Sequence, residues 1–327
     1  MQLKPVDSCE VLVLVDNVSD ILSSVPDNVT PEVPNVIKAG AKELSGRCLC
    51  CAQWGLSLIV TCRSEGEERT LLFDSGPEGY GVDRNGDRLG VDFAGIDAAV
   101  FSHGHWDHVG GRLTALGLMR KAKDGASTPV FVNQGMFVER ALKMAGDNLV
   151  PFENVPSPAE LEAAGGEIIM GDDERLMLDD MFYLSGEIER TTSYEKGLVG
   201  QVQRNASGEW EKDELILDER FVAVNVRGKG IIVFTACSHA GVINVLRHAR
   251  KVFDPIPIYG VMGGFHLSGG YCETIIPETI ADMGEFGLEV LVPGHCTGWR
   301  ATHKLVEAFG EERVTPSAVG RRHLFTA

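Results

Sequence analysis

The sequence predicts an α/β (α+β) fold in which two β-rich halves are flanked by helices. Two observations support this prediction. Short apolar runs typical of buried strands alternate, along all 327 residues, with segments whose apolar residues recur at helical spacing. Polar turns that carry histidines follow several of the predicted strands in both halves. The length suits one large domain or two small ones.

The first half begins with a strand at 11–15, and a polar, proline-rich stretch at 19–35 then predicts a loop insertion. Apolar runs around a charged turn predict a β-hairpin at 55–73. A glycine- and aspartate-rich segment up to residue 89 is expected to be a loop. Further strands are predicted at 98–101 and 129–132, and helices are predicted at 112–123 and 136–145.

The second half repeats the order of strand, turn and helix without a detectable sequence repeat. Strands are predicted at 181–184, 221–226, 230–235, 258–262 and 288–292, and helices at 241–253 and 297–309. The segment 191–214 is charged, contains glycine and has little periodicity, which predicts a mobile loop or lid. His248, His303 and His323 fall in helices or in the tail and are expected at the surface.

The run His103-Gly104-His105-Trp106-Asp107-His108 carries most of the chemical information in the chain. Imidazole and carboxylate are the usual ligands of zinc and similar divalent metals. Side chains two apart in an extended segment point the same way, so His103 and His105 should face one metal. Asp107 and His108 follow after the chain turns and could reach a second position. The run therefore predicts two neighbouring metal ions.

Further ligands are expected from histidines that follow predicted strands in the second half. His239, His266 and His295 all meet this description. We expect His239 and His295 to bind metal, and His266 to be either a ligand or a substrate contact. Cys237 and Cys296 each neighbour a candidate ligand, although packing is the first explanation for both.

The same run matches the H-x-H-x-D-H signature and thus resembles the metallo-β-lactamase superfamily. The resemblance implies a single domain over residues 1–327, which forms an αββα sandwich of two mixed sheets with a one- or two-metal site at the sheet edge. It also implies that Pro293-Gly294-His295 carries the last histidine ligand and that Asp74 orients a ligand from outside the metal shell. The strand 231–235 resembles the one that usually ends in a bridging aspartate, but Cys237-Ser238-His239 follows it here.

Several short motifs narrow the resemblance to the branch related to the methanopterin-pathway synthase, which joins a dihydropterin to a ribofuranosyl-aminobenzene phosphate. In chain order they are Asp16-Asn17, Trp54-Gly55-Leu56-Ser57, Ser185-Gly186-Glu187, Cys237-Ser238-His239-Ala240-Gly241, Gly263-Gly264-Phe265-His266 and Gly294-His295-Cys296-Thr297-Gly298. This likeness spans nearly the whole chain. It identifies relatives better than it identifies a substrate.

Composition limits the partners and the compartment. A formal net charge of −17 opposes general binding to nucleic acid. The chain has no apolar run of membrane-spanning length, and its first residues lack the regions of a signal peptide. We therefore expect a cytoplasmic protein with neither nucleic acid nor membrane as a partner. The expected partner is a small anionic substrate, because the free N–H groups of the helix that Thr297 and Gly298 open could receive an anion. The sequence does not predict an oligomeric state.

Three functions follow as hypotheses. The first is a dinuclear hydrolase of a small phosphoester, lactone or thioester, which acts through a metal-bound hydroxide. Asp107 would orient the nucleophile, while Trp106, Arg190, Thr297 and Arg300 would contact the substrate. The second is a synthase that releases pyrophosphate from a pterin, and the third is a mono-iron oxygenase-type enzyme. The expected cofactor is a pair of divalent ions, with zinc favoured over manganese or iron.

Overall fold

The computed structural model describes residues 2–327. The strands, numbered in chain order, are β1 Pro5–Val6, β2 Ser8–Val15, β3 Val29–Thr30, β4 Ser57–Ser64, β5 Glu67–Phe73, β6 Ala98–Val100, β7 Thr128–Val132, β8 Arg140–Lys143, β9 Leu149–Pro151, β10 Gly166–Met170, β11 Arg175–Met177, β12 Phe182–Leu184, β13 Gln201–Arg204, β14 Trp210–Lys212, β15 Val222–Val226, β16 Gly230–Thr235, β17 Ile258–Gly264, β18 Val290–Gly294 and β19 Arg322–Thr326. The helices are α1 Glu32–Lys38, α2 Gly79–Leu89, α3 Trp106–Val109, α4 Arg112–Ala122, α5 Pro158–Ala164, α6 Val242–Phe253, α7 Gly270–Thr274, α8 Ile276–Met283 and α9 Trp299–Phe309.

Two large mixed sheets form the framework, as the sequence predicts. One sheet has the order β10-β7-β6-β5-β4-β2-β19-β3, and the other has the order β11-β12-β15-β16-β17-β18, with β1 beside β15. In the first sheet β5, β6 and β7 run parallel, whereas β2, β4 and β5 are antiparallel. In the second sheet β16, β17 and β18 run parallel. A small third sheet, β14-β13-β8-β9, contributes to one side of the site.

Alternating side chains along the strands divide the interior into layers. On β2, Val11 and Val13 enter the core between the two large sheets, whereas Leu12 and Leu14 pack on the opposite face with residues of α2 and α4. In the second sheet, Phe234 faces the same central core and its neighbour Val233 packs towards α6. Because strands alternate their side chains with period two, burial of both faces requires a covering layer on each side. The result is a helix–sheet–sheet–helix sandwich.

Two predicted segments differ in the structure. The segment 136–145, expected as a helix, contains strand β8, which pairs with β13 and β9. The glycine-rich segment before Leu89, expected as a loop, contains helix α2. Glycine weakens a helix by about 1 kcal/mol relative to alanine, but tertiary packing overrides that preference here. Gly86 lies against the ring of Phe93, where a larger side chain would collide.

Other segments also carry more structure than the sequence indicates. The stretch 19–35 contains β3 and the start of α1, and the stretch 191–214 contains β13 and β14. His323, expected at the surface, is buried on β19 between β2 and β3. The helices expected at 112–123, 241–253 and 297–309 are confirmed as α4, α6 and α9.

Five strand ends position the candidate site. Asp74 follows β5, His103 follows β6, His239 follows β16, His266 follows β17 and His295 follows β18. Parallel strands bring their carboxyl ends to one edge of a sheet, so polar side chains after these ends converge. No helix within residues 2–327 combines the length and the apolar character that a membrane crossing requires.

Candidate metal centre

A first group of donor atoms consists of Asp107, His108, Cys237 and His295, which lie within 4.8 Å of one another. The Nε2 atoms of His108 and His295 are 3.1 Å apart, and His108 Nε2 is 3.1 Å from Cys237 Sγ. Asp107 Oδ2 is 3.4 Å from His295 Nε2. All four residues are buried. The two halves of the chain therefore supply one compact set of nitrogen, oxygen and sulfur donors.

A second group consists of His103, Cys237 and His239, again within 4.8 Å. The ring centroids of His103 and His239 are 4.9 Å apart, and both rings are buried. His105 stands beside this group, with its Nδ1 3.1 Å from His103 Nε2. The site thus brings together all six residues that the sequence predicts as metal ligands, although His105 lies outside the two groups.

A third group joins Cys237 to His266 and Cys296. The two sulfur atoms are 3.4 Å apart, and the His266 ring lies 4.3 Å from the ring of His239. His266 therefore borders the second group without entering it. A cavity of about 20 Å³ opens beside His239 and His266 and is also lined by Glu195, Phe265 and Tyr271. This volume is enough for about one water molecule.

Burial sets the protonation of the second group. It lowers the pKa of His103 and of His239 well below 6.5 and lowers the pKa of His105 to about 3. These imidazoles are therefore neutral at pH 7, which is the form that binds metals. In the first group, burial also lowers the pKa of His108, but Asp107 and Asp74 outweigh it and raise that pKa to about 9. Without a cation, His108 is therefore protonated at pH 7, and Asp107 and Asp74 stabilise its positive charge.

The donor set fits divalent cations. Both ring nitrogens of His239 are buried and lack a hydrogen-bond partner among the residues that the structure describes. Burying unpaired polar atoms costs free energy unless a partner is supplied. A cation between His103 and His239 would supply that partner. Nitrogen, carboxylate and thiolate ligands together suit zinc, iron or cobalt.

The backbone at the site is locally unusual. Asp74, Ser238, His266 and His295 have φ values of 60°, 58°, 46° and 45°, in the left-handed region. Residues other than glycine adopt this region uncommonly, and such conformations cluster at functional sites. Each of these residues ends or follows a strand that leads to the site. The sharp turn lets the chain reverse there without carrying the side chain away from the sheet edge.

Asp74 accepts hydrogen bonds from His108 and from Ser102, which lies next to His103. Its Oδ2 accepts hydrogen bonds from His108 Nδ1 at 2.8 Å and from the Ser102 hydroxyl at 2.7 Å, while its Oδ1 accepts from the Ser102 backbone N–H at 2.7 Å. The Ser102 hydroxyl also contacts His103 Nδ1 at 2.8 Å. Asp74 therefore leaves the Nε2 atom of His108 free to face a metal and connects both donor groups.

Replacing Asp74 with asparagine is expected to weaken metal binding by roughly 10–100-fold, the usual effect of losing a carboxylate behind a histidine ligand. The amide cannot accept from His108 and both Ser102 donors in the same way as a carboxylate. Competition with a chromophoric chelator measures the affinity. The exposed Asp83→Asn provides the control, and equal affinities in the two variants would refute the role given to Asp74.

Two residues hold the His239 turn, the buried Glu219 and the half-buried Arg190. Glu219 accepts hydrogen bonds from the backbone N–H groups of His239 and Ala240, at 2.8 and 2.7 Å. Arg190 donates to the His239 carbonyl at 3.1 Å and to the Leu215 carbonyl at 2.5 Å. Arg190, predicted from the sequence as a substrate contact, thus uses two of its donors inside the protein.

The small sheet supports His105. Gln201 on β13 donates from Nε2 to Asp213 at 3.0 Å, which leaves its carbonyl oxygen to accept from His105 Nε2 at 2.7 Å. His105 therefore carries its proton on Nε2, and its Nδ1 lone pair faces His103. Gly104, between these two histidines, donates its N–H to Asp218 at 2.7 Å. A side chain at Gly104 would collide with Met136.

The remaining predicted substrate contacts occupy different surroundings. Trp106 is half-buried beside the ligand run. Thr297 is buried, and its hydroxyl oxygen accepts from the Phe265 N–H at 3.0 Å. Arg300 is exposed at the start of α9, where it lies 3.4 Å from Glu273 and 4.6 Å from the centroid of the Trp299 ring. Of the two predicted arginines, Arg300 is exposed and Arg190 is half-buried.

From the sequence, packing is the first explanation for Cys237, Asp16 is part of a motif without a predicted role at the site, and Gln201 has no predicted role. Cys237 comes two residues after β16, at a position where a ligand was expected, and that position was the available signal. Asp16 follows β2 and accepts from the His295 N–H at 3.4 Å. Gln201 lies in a segment of little periodicity, so its role depends on strand pairing that the sequence does not reveal.

Comparison with known proteins agrees with this architecture. The family model described as the metallo-β-lactamase superfamily matches residues 56–113, which include the whole ligand run. A synthase from Methanocaldococcus jannaschii, 7,8-dihydropterin-6-methyl-4-(β-D-ribofuranosyl)-aminobenzene-5'-phosphate synthase, is 28% identical over 263 residues, covering 80% of this chain and 86% of the relative. An uncharacterized protein from the same organism is 31% identical over 254 residues, covering 78% and 88%.

Solved structures resemble the fold over almost the full chain. Tm1679, described as a metal-dependent hydrolase of the β-lactamase superfamily, has a TM-score of 0.69 and 21% identity, covering 98% of this chain and all of that one. The fold protein YhfI from Bacillus subtilis has a TM-score of 0.51 and 11% identity, with 98% of this chain covered. At these identities the likeness concerns the fold alone.

Proposed function

Because the chain belongs to the metallo-β-lactamase superfamily, we propose that it is a dinuclear metal-dependent hydrolase of a small anionic phosphoester, lactone or thioester. The observation that carries the proposal is the pair of adjacent groups of donor atoms, which share Cys237 and together contain residues from both halves of the chain. Two bound cations would supply Lewis acidity and lower the pKa of water. Zinc is the favoured metal, and the substrate is a free small molecule.

The protein's own residues orient the reactants. Asp107 has a buried carboxylate whose pKa burial alone would raise, but His108 and His295 outweigh burial and hold it well below its usual range. Asp107 therefore stays ionised and can accept a hydrogen bond from an attacking water. Tyr271, Phe265 and Glu195 line the small cavity beside His239 and His266. Trp106 and Arg300 are proposed to contact the substrate's apolar and anionic parts.

The test begins with protein stripped of metal by a chelator and reloaded with zinc, manganese or iron. We expect elemental analysis to find two ions per chain, and we expect a phosphodiester, lactone or thioester from a broad panel to be turned over only after reloading. Metal removal should abolish turnover. Two bound ions without turnover of any panel member would count against the hydrolase proposal, and a single bound iron would favour the oxygenase-type alternative.

A second candidate is a synthase that displaces pyrophosphate from a dihydropterin. The relative described as a dihydropterin synthase supports it, because the similarity spans 86% of that protein. The cavity of about 20 Å³ beside His239 and His266 is too small to hold a pterin. Release of pyrophosphate from dihydropterin pyrophosphate by the metal-loaded protein would support the synthase over the hydrolase.

A further inference from the structure

Cys237 occupies the centre of the donor cluster. It is the one residue common to all three groups of potential ligands within residues 2–327. Its sulfur is 3.1 Å from His108 Nε2 and 3.4 Å from Cys296 Sγ, and its side chain is buried. A cysteine that served only to fill the core would be surrounded by carbon atoms. Cys237 instead faces nitrogen, oxygen and sulfur donors from several strand ends.

The second donor group is incomplete without this sulfur. The second group has only His103 and His239 besides Cys237, and a stable zinc site usually has at least three protein ligands. Besides Cys237, the first group consists of Asp107, His108 and His295. The Asp107 carboxylate lies 3.4 Å from His295 and 3.9 Å from His108. Among the residues that the structure describes, no carboxylate belongs to both groups. Cys237 Sγ is the atom that both groups share.

We propose that the thiolate of Cys237 bridges the two metal positions, one held by Asp107, His108 and His295 and the other by His103 and His239. The inference rests on the proposed function, since it requires both ions. Coordination breaks the S–H bond and releases its proton to solvent, so the bridge contributes one negative charge. A shared thiolate selects thiophilic ions such as zinc, iron and cobalt over manganese or magnesium.

Cys296 provides a matched control. It is equally buried and lies 3.4 Å from Cys237, but it belongs only to the group with His266 and to neither of the proposed metal positions. If any buried thiol near the site bound metal, Cys237 and Cys296 would behave alike. The bridging inference requires them to differ.

Cobalt titration of metal-free protein tests the assignment, because a thiolate bound to Co²⁺ gives a charge-transfer absorption band in the near ultraviolet. We expect the band in the wild type and in Cys296→Ser, and we expect its loss in Cys237→Ser and Cys237→Asp. The aspartate variant offers a carboxylate in place of sulfur and should still bind two ions. Circular dichroism checks that each variant is folded. A band that persists in folded Cys237→Asp, or that disappears only in Cys296→Ser, would overturn the proposal.

X-ray absorption at the zinc edge distinguishes a bridge from a ligand to one ion. A bridging sulfur gives about one sulfur neighbour per zinc at roughly 2.3 Å, whereas a terminal sulfur gives half that number. If protein that holds two zinc ions shows only half a sulfur neighbour per zinc, or none, the bridge is overturned and the dinuclear proposal stands. Failure of the wild type to bind two ions overturns the dinuclear proposal and the bridge together.

Discussion

Replacing His295 with alanine is expected to reduce the metal content from two ions to one and to lower turnover by more than 100-fold. His295 supplies a nitrogen 3.1 Å from His108 Nε2 and 3.4 Å from Asp107, so its loss leaves the first group without one of its two imidazoles. Loss of a residue that only hydrogen-bonds to a metal ligand already lowers metal affinity or activity by roughly 10–100-fold. Loss of the ligand itself should therefore exceed that range.

The control for this variant is His303→Ala. His303 lies on helix α9, is exposed, and pairs at 3.0 Å with Glu307 on the same helix. We expect this variant to keep two ions and wild-type turnover. Elemental analysis of protein purified after reloading measures the metal content directly. Two firmly bound ions in His295→Ala would show that the last histidine is not a ligand.

Replacing Arg140 with methionine is expected to destabilise the protein by about 3–5 kcal/mol, the usual cost of removing one partner of a buried ion pair. Arg140 is buried and lies 2.6 Å from Asp218 and 2.8 Å from Asp213. Without it, both carboxylates remain inside the protein with no cation. Because Asp218 also accepts from the Gly104 N–H, metal affinity should fall as well.

Arg204→Met is the matched comparison. Arg204 pairs with Glu139 at 2.8 Å, but both side chains are about half exposed. Exposed pairs contribute about 0–1 kcal/mol, so this variant should unfold almost like the wild type. Urea denaturation of the metal-free proteins measures both free energies of unfolding. Equal losses in the two variants would contradict the role assigned to the buried pair.

The sequence indicates the centre of the candidate site because several of its polar residues are close together in the chain. His103, His105, Asp107 and His108 lie in one short run after an apolar strand, and both the run and the strand are visible without a structure. His295 is detectable for a similar reason, since a buried strand and a glycine precede it. Short apolar runs likewise reveal most of the strands in both large sheets.

The surroundings of the site depend on contacts between distant segments. Gln201 reaches His105 because β13 pairs with β8, and β8 lies in a segment that was expected to be helical. Helix α2 forms despite its glycines because packing outweighs intrinsic preference. His323 is buried because β19 pairs with β2 from the opposite end of the chain. None of these contacts between distant segments leaves a local signal in the sequence.

The central claim is that two cations lie side by side at the strand ends, held by both halves of the chain. Anomalous diffraction from crystals of the zinc-loaded protein tests it most directly. We predict two peaks about 3.5–4 Å apart, one among Asp107, His108 and His295 and the other between His103 and His239. A single peak, or peaks that none of these side chains contacts, would contradict the claim.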